Sequence, residues 1–286
     1  DKKMKTIRII PRLDIKGPNL VKGIHLEGLR VLGTPEDFAE YYYKQGADEL
    51  FYQDVVASLY ERNSLSDIIS RTAKKAFIPL TVGGGIRSIQ NIKDVLRAGA
   101  DKVAINTAAI KEPDLIKRAS REFGASTIVV AIEAIKMGEG NYEAFIDNGR
   151  EQTGVDVLQW AKRVEELGAG EIVITSIDKE GTGEGFDLDL IRRISTSVNI
   201  PVIAHGGMGK IDDALLAIRD AKADALAISS VLHYGFVEEY RNLNISKTEG
   251  NIQFLKSGRG YSKIKRLTLS EIKNYLQDNK IDCRNI

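Results

Sequence analysis

The sequence predicts an α/β fold, a (β/α)8 barrel built from two half-barrel repeats, and three observations carry that expectation. Short β-branched runs alternate along the chain with longer stretches of helical periodicity. Eight such strand–helix units occur in a row, with strands apolar enough for burial on both faces, which points to an all-parallel sheet. The second half also restates the first: Gly84-Gly85 corresponds to Gly206-Gly207 at a shift of 206 − 84 = 122, and Gly46-Ala47 corresponds to Gly168-Ala169 at the same shift. A doubly wound open sheet is the alternative. It explains the repeat less well, and the chain lacks an early G-x-G-x-x-G.

Strands are expected over 7–13, 49–54, 78–82, 102–106, 127–133, 171–176, 200–204 and 224–229. Helices are expected between them, in "PEDFAEYYYKQGA" (35–47), "IQNIKDVLRAGA" (89–100), "VLQWAKRVEELGA" (157–169) and "IDDALLAIRDAKA" (211–223). These segments place apolar residues at i, i+3 and i+4 and end in glycine or another small residue. A last helix is expected at "LSEIKNYLQDN" (269–279), preceded by an insertion over 236–266. The whole chain, 1–286, thus reads as a single barrel domain of ordinary length for eight units.

Composition excludes several classes of function. Hydrophobic residues make up 43% and charged residues 28%, the mix of a globular protein with a large core. A formal net charge of +1 offers no electrostatic case for nucleic acid or an anionic membrane as partner. No apolar run approaches the roughly 20 residues of a membrane span. The charged start runs straight into an apolar strand, so a secretory signal is not expected. The single cysteine, Cys283, excludes internal disulfides and a cysteine cluster for zinc, and a cytoplasmic location is expected. Neither a metal nor a cofactor is expected.

In such a barrel, function sits at the C-terminal ends of the strands. "GGGIRS" (83–88) and "HGGMGK" (205–210) lie there, after the third and seventh strands. Glycine lets backbone N–H groups approach an anion closely, and a following helix N-terminus adds its positive dipole end. A tight strand–helix turn is the plain explanation of one Gly-Gly pair. Here there are two, each followed by a strand end bearing polar residues: Asn106 and Thr107 after the fourth strand, Ser229 and Ser230 after the eighth. Two phosphate grips are expected, one from Gly84, Gly85, Asn106 and Thr107, the other from Gly206, Gly207, Ser229 and Ser230. Symmetry then implies one ligand with a phosphate at each end.

Between the grips, Asp14 ends the first strand and Glu133 the fifth, opposite each other across the mouth, as an acid/base pair would be. Lys22 follows on the first loop, where it can contact a phosphate or position Asp14. Asp54, Asp178 and Glu180 add acids at the ends of the second and sixth strands, and the glycine-rich stretch 178–187, including Gly181, reads as a loop that folds over ligand. At the other end of the strands, Arg8, Glu49, Lys102 and Glu171 are isolated charges beside apolar sequence. They are either surface residues or a ring of ion pairs closing the barrel floor.

These stretches resemble the cyclase subunit of imidazole glycerol phosphate synthase. The resemblance rests on "RIIPRLDIKG", "LVKG", "GADEL", "FIPLTVGGGIRS", "AGADKVAINTAAI", "VVAIEA", "TGVD", "LGAGEIVITSID", "IPVIAHGG" and "SSVLHYG", spread over residues 7–235. It implies a half-barrel-derived (β/α)8 fold and a ligand with two phosphates, a ribulosyl-formimino-AICAR. Ammonia from a glutaminase docked at the barrel floor would convert that ligand to imidazole glycerol phosphate and AICAR, in histidine biosynthesis. By resemblance Asp14 is one catalytic aspartate, and Arg8, Glu49, Lys102 and Glu171 match the gate where ammonia enters. The chain has no G-x-C-x-G nucleophile elbow, so the glutaminase would be a separate protein.

Four departures from the family stand out. Glu133 and Glu180 occupy positions where aspartate is usual, Arg12 replaces a small inward residue, and His205 replaces a small hydroxyl residue. An added methylene shifts a carboxylate's reach, and a misplacement of about 1 Å can cost 10²-fold in rate. Arg12 can pair with Glu133 or Asp14, or hold an additional anion. The insertion 236–266 falls beside the second grip. These differences define a second reading, a paralogue that passes ammonia to an acetamido nucleotide-sugar and forms an acetamidino group for surface polysaccharide. A phosphoribosyl isomerase and a catalytically silent partner subunit are the further alternatives.

Overall fold

The computed structural model describes residues 6–56, 63–241 and 264–284. The first half runs β1 (Arg8–Lys16), β2 (Asn19–Ile24), β3 (Glu27–Gly33), α1 (Pro35–Lys44), β4 (Leu50–Asp54), α2 (Asn63–Ala73), β5 (Leu80–Gly83), α3 (Ile89–Ala98), β6 (Lys102–Ile105), α4 (Thr107–Lys111) and α5 (Asp114–Phe123). The second half runs β7 (Ile128–Gly138), β8 (Asn141–Ile146), β9 (Glu151–Asp156), α6 (Val157–Glu166), β10 (Glu171–Ser176), α7 (Leu188–Ser195), β11 (Val202–His205), α8 (Ile211–Arg219), β12 (Ala225–Ile228) and α9 (Ser230–Arg241). After a stretch outside the described residues comes α10 (Leu269–Asp278).

All eight expected strands form, as β1, β4, β5, β6, β7, β10, β11 and β12. They pair in parallel in that cyclic order, and β12 pairs back onto β1. The sheet closes into a barrel, which excludes the open-sheet alternative. Helix starts follow local chemistry. Ser88, Asp156 and Asp187 accept the first free backbone N–H groups of α3, α6 and α7, and Thr268 with Glu271 caps α10 reciprocally.

Two features exceed the sequence reading. β2 and β3 form an antiparallel extension of β1, and β8 with β9 form one on β7, at equivalent points of the two halves. β7 itself continues to Gly138, five residues past the expected end at 133. Both extensions rise from the mouth of the barrel, beside Asp14 and Glu133.

The main core lies between the strands and the helices. A second, smaller cluster fills the barrel interior: Ile10, Phe51, Val129, Val173 and Ile203, with alanines at 104, 225 and 227. At the floor, buried Lys273 of α10 donates to Asp48 Oδ1 at 2.9 Å and to the Gly46 carbonyl at 2.6 Å, and Asp48 Oδ2 accepts from Ile9 N at 2.8 Å. The final helix is thereby fastened to the start of the barrel. The expected insertion lies largely outside the described residues, in 242–263; its return leg places Lys265 N 2.8 Å from the Gly209 carbonyl, beside the second glycine phrase.

Candidate active site

Strand alternation sends every second residue into the barrel. Along β1 the inward series is Arg8, Ile10, Arg12 and Asp14, a path from floor to mouth. Arg8 begins it. Its Nη1 lies 2.7 Å from Glu49 and 2.9 Å from Glu171, while Lys102 Nζ lies 3.2 Å from Glu49 and 3.3 Å from Glu171. The four expected charges therefore meet as a closed ring of alternating sign below the apolar interior layer, rather than dispersing on the surface. Two cations and two carboxylates cancel, so the ring seals the floor without a net charge.

At the mouth, β1 and β7 lie four strands apart in a ring of eight, so Asp14 and Glu133 face each other as expected. Both are buried, yet their environments differ. Burial pushes Asp14 upward, but the Arg12 and Lys22 cations outweigh it and hold the carboxyl below its usual range. Burial dominates at Glu133, which is pushed up to about 7, with Arg12 only partly offsetting it. Asn106 Nδ2 donates to Glu133 Oε2 at 3.1 Å and fixes the longer side chain. The pair thus combines an ionised carboxylate with a carboxyl able to hold a proton near neutrality.

Arg12 pairs with Asp14 and not with Glu133: Nε donates to Asp14 Oδ1 at 3.2 Å, and Nη1 to Thr175 Oγ1 at 3.2 Å and His205 Nδ1 at 3.0 Å. A guanidinium only donates, so His205 Nδ1 is the acceptor and its Nε2 carries the proton. Burial, then Arg12 and Lys22, hold His205 well below the ordinary histidine range and keep it neutral. Lys22 bonds to Glu180 and lies 3.5 Å from Asp14 Oδ2. Glu180 also accepts from Leu26 N at 3.2 Å, which ties its loop to the β2–β3 extension.

The four residues expected for the first grip come together at one place. Gly84, Gly85, Asn106, Thr107 and Glu133 line one cavity of about 90 Å³. Gly84 has φ +100° and a Cβ there would stand 2.3 Å from the Asp54 carbonyl, so only glycine fits this turn. The second grip brings together Glu180, Gly181, His205, Gly206, Gly207, Ser229 and Ser230 around a cavity of about 20 Å³. The glycine-rich loop presses onto it: Gly185 N donates to the Gly207 carbonyl at 2.8 Å, and a Cβ on Gly207 would stand 2.1 Å from the Gly185 carbonyl. Asp178 is not part of either grip; it is exposed and accepts from Lys136 N at 2.9 Å.

Several residues of the site escaped the sequence reading. Thr175, which completes the Arg12–His205 cluster, was legible from the alternation Glu171, Val173, Thr175. Asp147 and Asn148 line the first cavity from the β8–β9 turn, and that turn was unseen because its hairpin was. His233 holds the β1 backbone: its Nε2 donates to the Arg12 carbonyl at 2.9 Å and its Nδ1 accepts from Tyr42 at 2.6 Å. Among the described residues, no group of three or more His, Cys, Asp or Glu side chains could hold a metal ion, and no helix is long and apolar enough to cross a membrane.

Fold and site define a class: a (β/α)8 barrel with matching halves, whose mouth carries two glycine turns, each lining a cavity, and an unequal carboxylate pair. The family model described as "Histidine biosynthesis protein" matches residues 8–238, and the chain belongs to that family. It is 59% identical over 210 residues to the imidazole glycerol phosphate synthase subunit HisF of Legionella pneumophila, covering 73% of this chain and 99% of that protein. It is 50% identical over 250 residues to the HisF subunit of Methanocaldococcus jannaschii, covering 81% of this chain and 92% of that protein. With the HisF subunit of Trichormus variabilis it shares 43% identity over 284 residues, 98% of this chain and 99% of that protein.

Proposed function

We propose that this chain is an enzyme, the cyclase subunit of imidazole glycerol phosphate synthase, and acts in histidine biosynthesis. Relatives of that name in bacteria and an archaeon support the reading, and the acetamido-sugar alternative is not favoured. The observation in the site that carries it is the unequal carboxylate pair set between two equivalent glycine grips. The grips take the two phosphates of one extended substrate. Asp14, anionic, removes protons; Glu133, protonated near neutrality, supplies them. Lys22 orients Asp14 and fixes Glu180, and thereby Gly181, over the second grip. The ring of Arg8, Glu49, Lys102 and Glu171 is the gate for ammonia, which a separate glutaminase delivers at the floor. Passage continues through the apolar interior layer, where neutral ammonia is far less penalised than ammonium. A cytoplasmic location fits this chemistry.

Calorimetry with the Asp14→Asn variant tests the two-grip arrangement. One bis-phosphorylated intermediate bound per chain is expected, with affinity lowered by inorganic phosphate. Two per chain, or indifference to phosphate, contradicts it.

A further inference from the structure

Arg12 stands on the axis between the apolar layer and the mouth and is 2% exposed. The Phe51 ring of the layer below lies 5.6 Å from its Cζ. Its Nε is held by Asp14 and its Nη1 by Thr175 and His205, at 3.0 to 3.2 Å. Nη2 alone is buried with no hydrogen-bond partner among the described residues. In a planar guanidinium, Nε–H and Nη2 share one edge, the edge that meets carboxylates side-on. Asp14 occupies only the Nε half of that edge, because its Oδ2 turns to Lys22. A free, rigidly aimed donor therefore lies next to the base. Buried donors left unpaired are costly, which calls for a partner in the working state.

We propose that Arg12 is a catalytic residue: Nη2 donates to the carbonyl oxygen of the acceptor that ammonia attacks. This role rests on the cyclase reading. Ammonia rising from the apolar layer meets the acceptor directly above Arg12. The nitrogen lone pair forms the C–N bond, the C=O π pair moves to oxygen, and one N–H proton passes to the Asp14 carboxylate. The total charge is unchanged. Negative charge leaves Asp14 as it appears on the oxygen at Nη2. A ground-state anion at Nη2 would face the Asp14 carboxylate, whereas a carbonyl acquires its charge only as Asp14 loses its own. Fixation by Asp14, Thr175 and His205 supplies the preorganisation that makes such a donor effective. Lysine, a point charge on a flexible stem, lacks this second directed N–H.

The test is ammonium-driven turnover of the histidine-pathway intermediate by wild type, Arg12→Lys and Arg12→Ala, each checked for folding by circular dichroism. Arg12→Lys should lose about 10²- to 10³-fold in kcat, with KM for the intermediate within about threefold. Methylguanidinium, at concentrations that leave the protein folded, should restore part of the kcat of Arg12→Ala. Wild-type kcat in Arg12→Lys, a rise confined to KM, or an absence of methylguanidinium rescue overturns the role of Arg12 alone. A wild-type chain that leaves the intermediate unchanged overturns the cyclase reading, and this role with it.

Discussion

Glu133→Gln separates what burial does to this carboxyl from what the carboxyl does in catalysis. The folded state raises the Glu133 pKa from 4.5 to about 7, chiefly through burial. Below pH 4.5 folded and unfolded chains both hold the proton. Between 4.5 and about 7 only the folded chain holds it, so stability from this group is lost as pH rises through that window. Above the window the folded chain carries a buried carboxylate. The gap between 4.5 and about 7, at about 1.4 kcal/mol per pKa unit, corresponds to about 3 kcal/mol. Glutamine fills the same space and never ionises. Relative to wild type, Glu133→Gln should therefore gain about 3 kcal/mol between roughly pH 4.5 and 9, read from urea unfolding at both ends of the range. Turnover should fall at every pH, and wild-type turnover per unit of free ammonia should decline above about pH 7 as the acid form is lost. A stability difference between variant and wild type that is the same at both pH values would refute the reasoning.

Asp14→Asn should lower kcat by at least about 10²-fold while the intermediate binds within about threefold of wild type; surviving turnover would remove Asp14 from the chemistry. Lys102→Ala opens the floor ring, and the ratio of glutamine-driven to ammonium-driven turnover should change by about fivefold or more when the glutaminase is present; equal effects on both would count against a gate. Lys273→Met strands Asp48 at the floor, and unfolding free energy should fall by about 3–5 kcal/mol with little change in the kcat of the folded enzyme. Gly84→Ala must strain a backbone at φ +100° and meet the Asp54 carbonyl at 2.3 Å. A loss of at least about 2 kcal/mol in stability is expected, together with weaker phosphate binding; wild-type stability would argue that the turn is loose.

The eight barrel strands were legible because burial on both faces makes them near-continuous apolar runs, and the internal repeat supplied their pairing. The two mouth extensions were not. "NLVKGI" and "NYEAFI" are short, half-polar strands that gain order by pairing with β1 and β7, so their period-2 signal is weak beside that of the core runs. The floor ring was legible as four isolated charges, but only closure of the barrel decides between dispersed surface groups and a ring. Arg12 was legible as an unusual inward charge; its choice of Asp14 over Glu133 depends on which side Thr175 and His205 take hold, a fact of three-dimensional register. His205 was seen as a change in the second grip, but its service as the acceptor for Arg12 was not. Asp178 was legible as an acid after the sixth strand, but its outward turn to Lys136 N was not, because strand-end position alone says nothing about whether a side chain turns inward along the axis or outward to a neighbouring backbone N–H.

The most direct measurement of the central claim is turnover by the purified chain alone, given the histidine-pathway intermediate and excess ammonium at alkaline pH. Imidazole glycerol phosphate and AICAR should appear in equal amounts, and inorganic phosphate should slow their release. An intact intermediate beside a chain whose unfolding curve shows it to be folded would contradict the account.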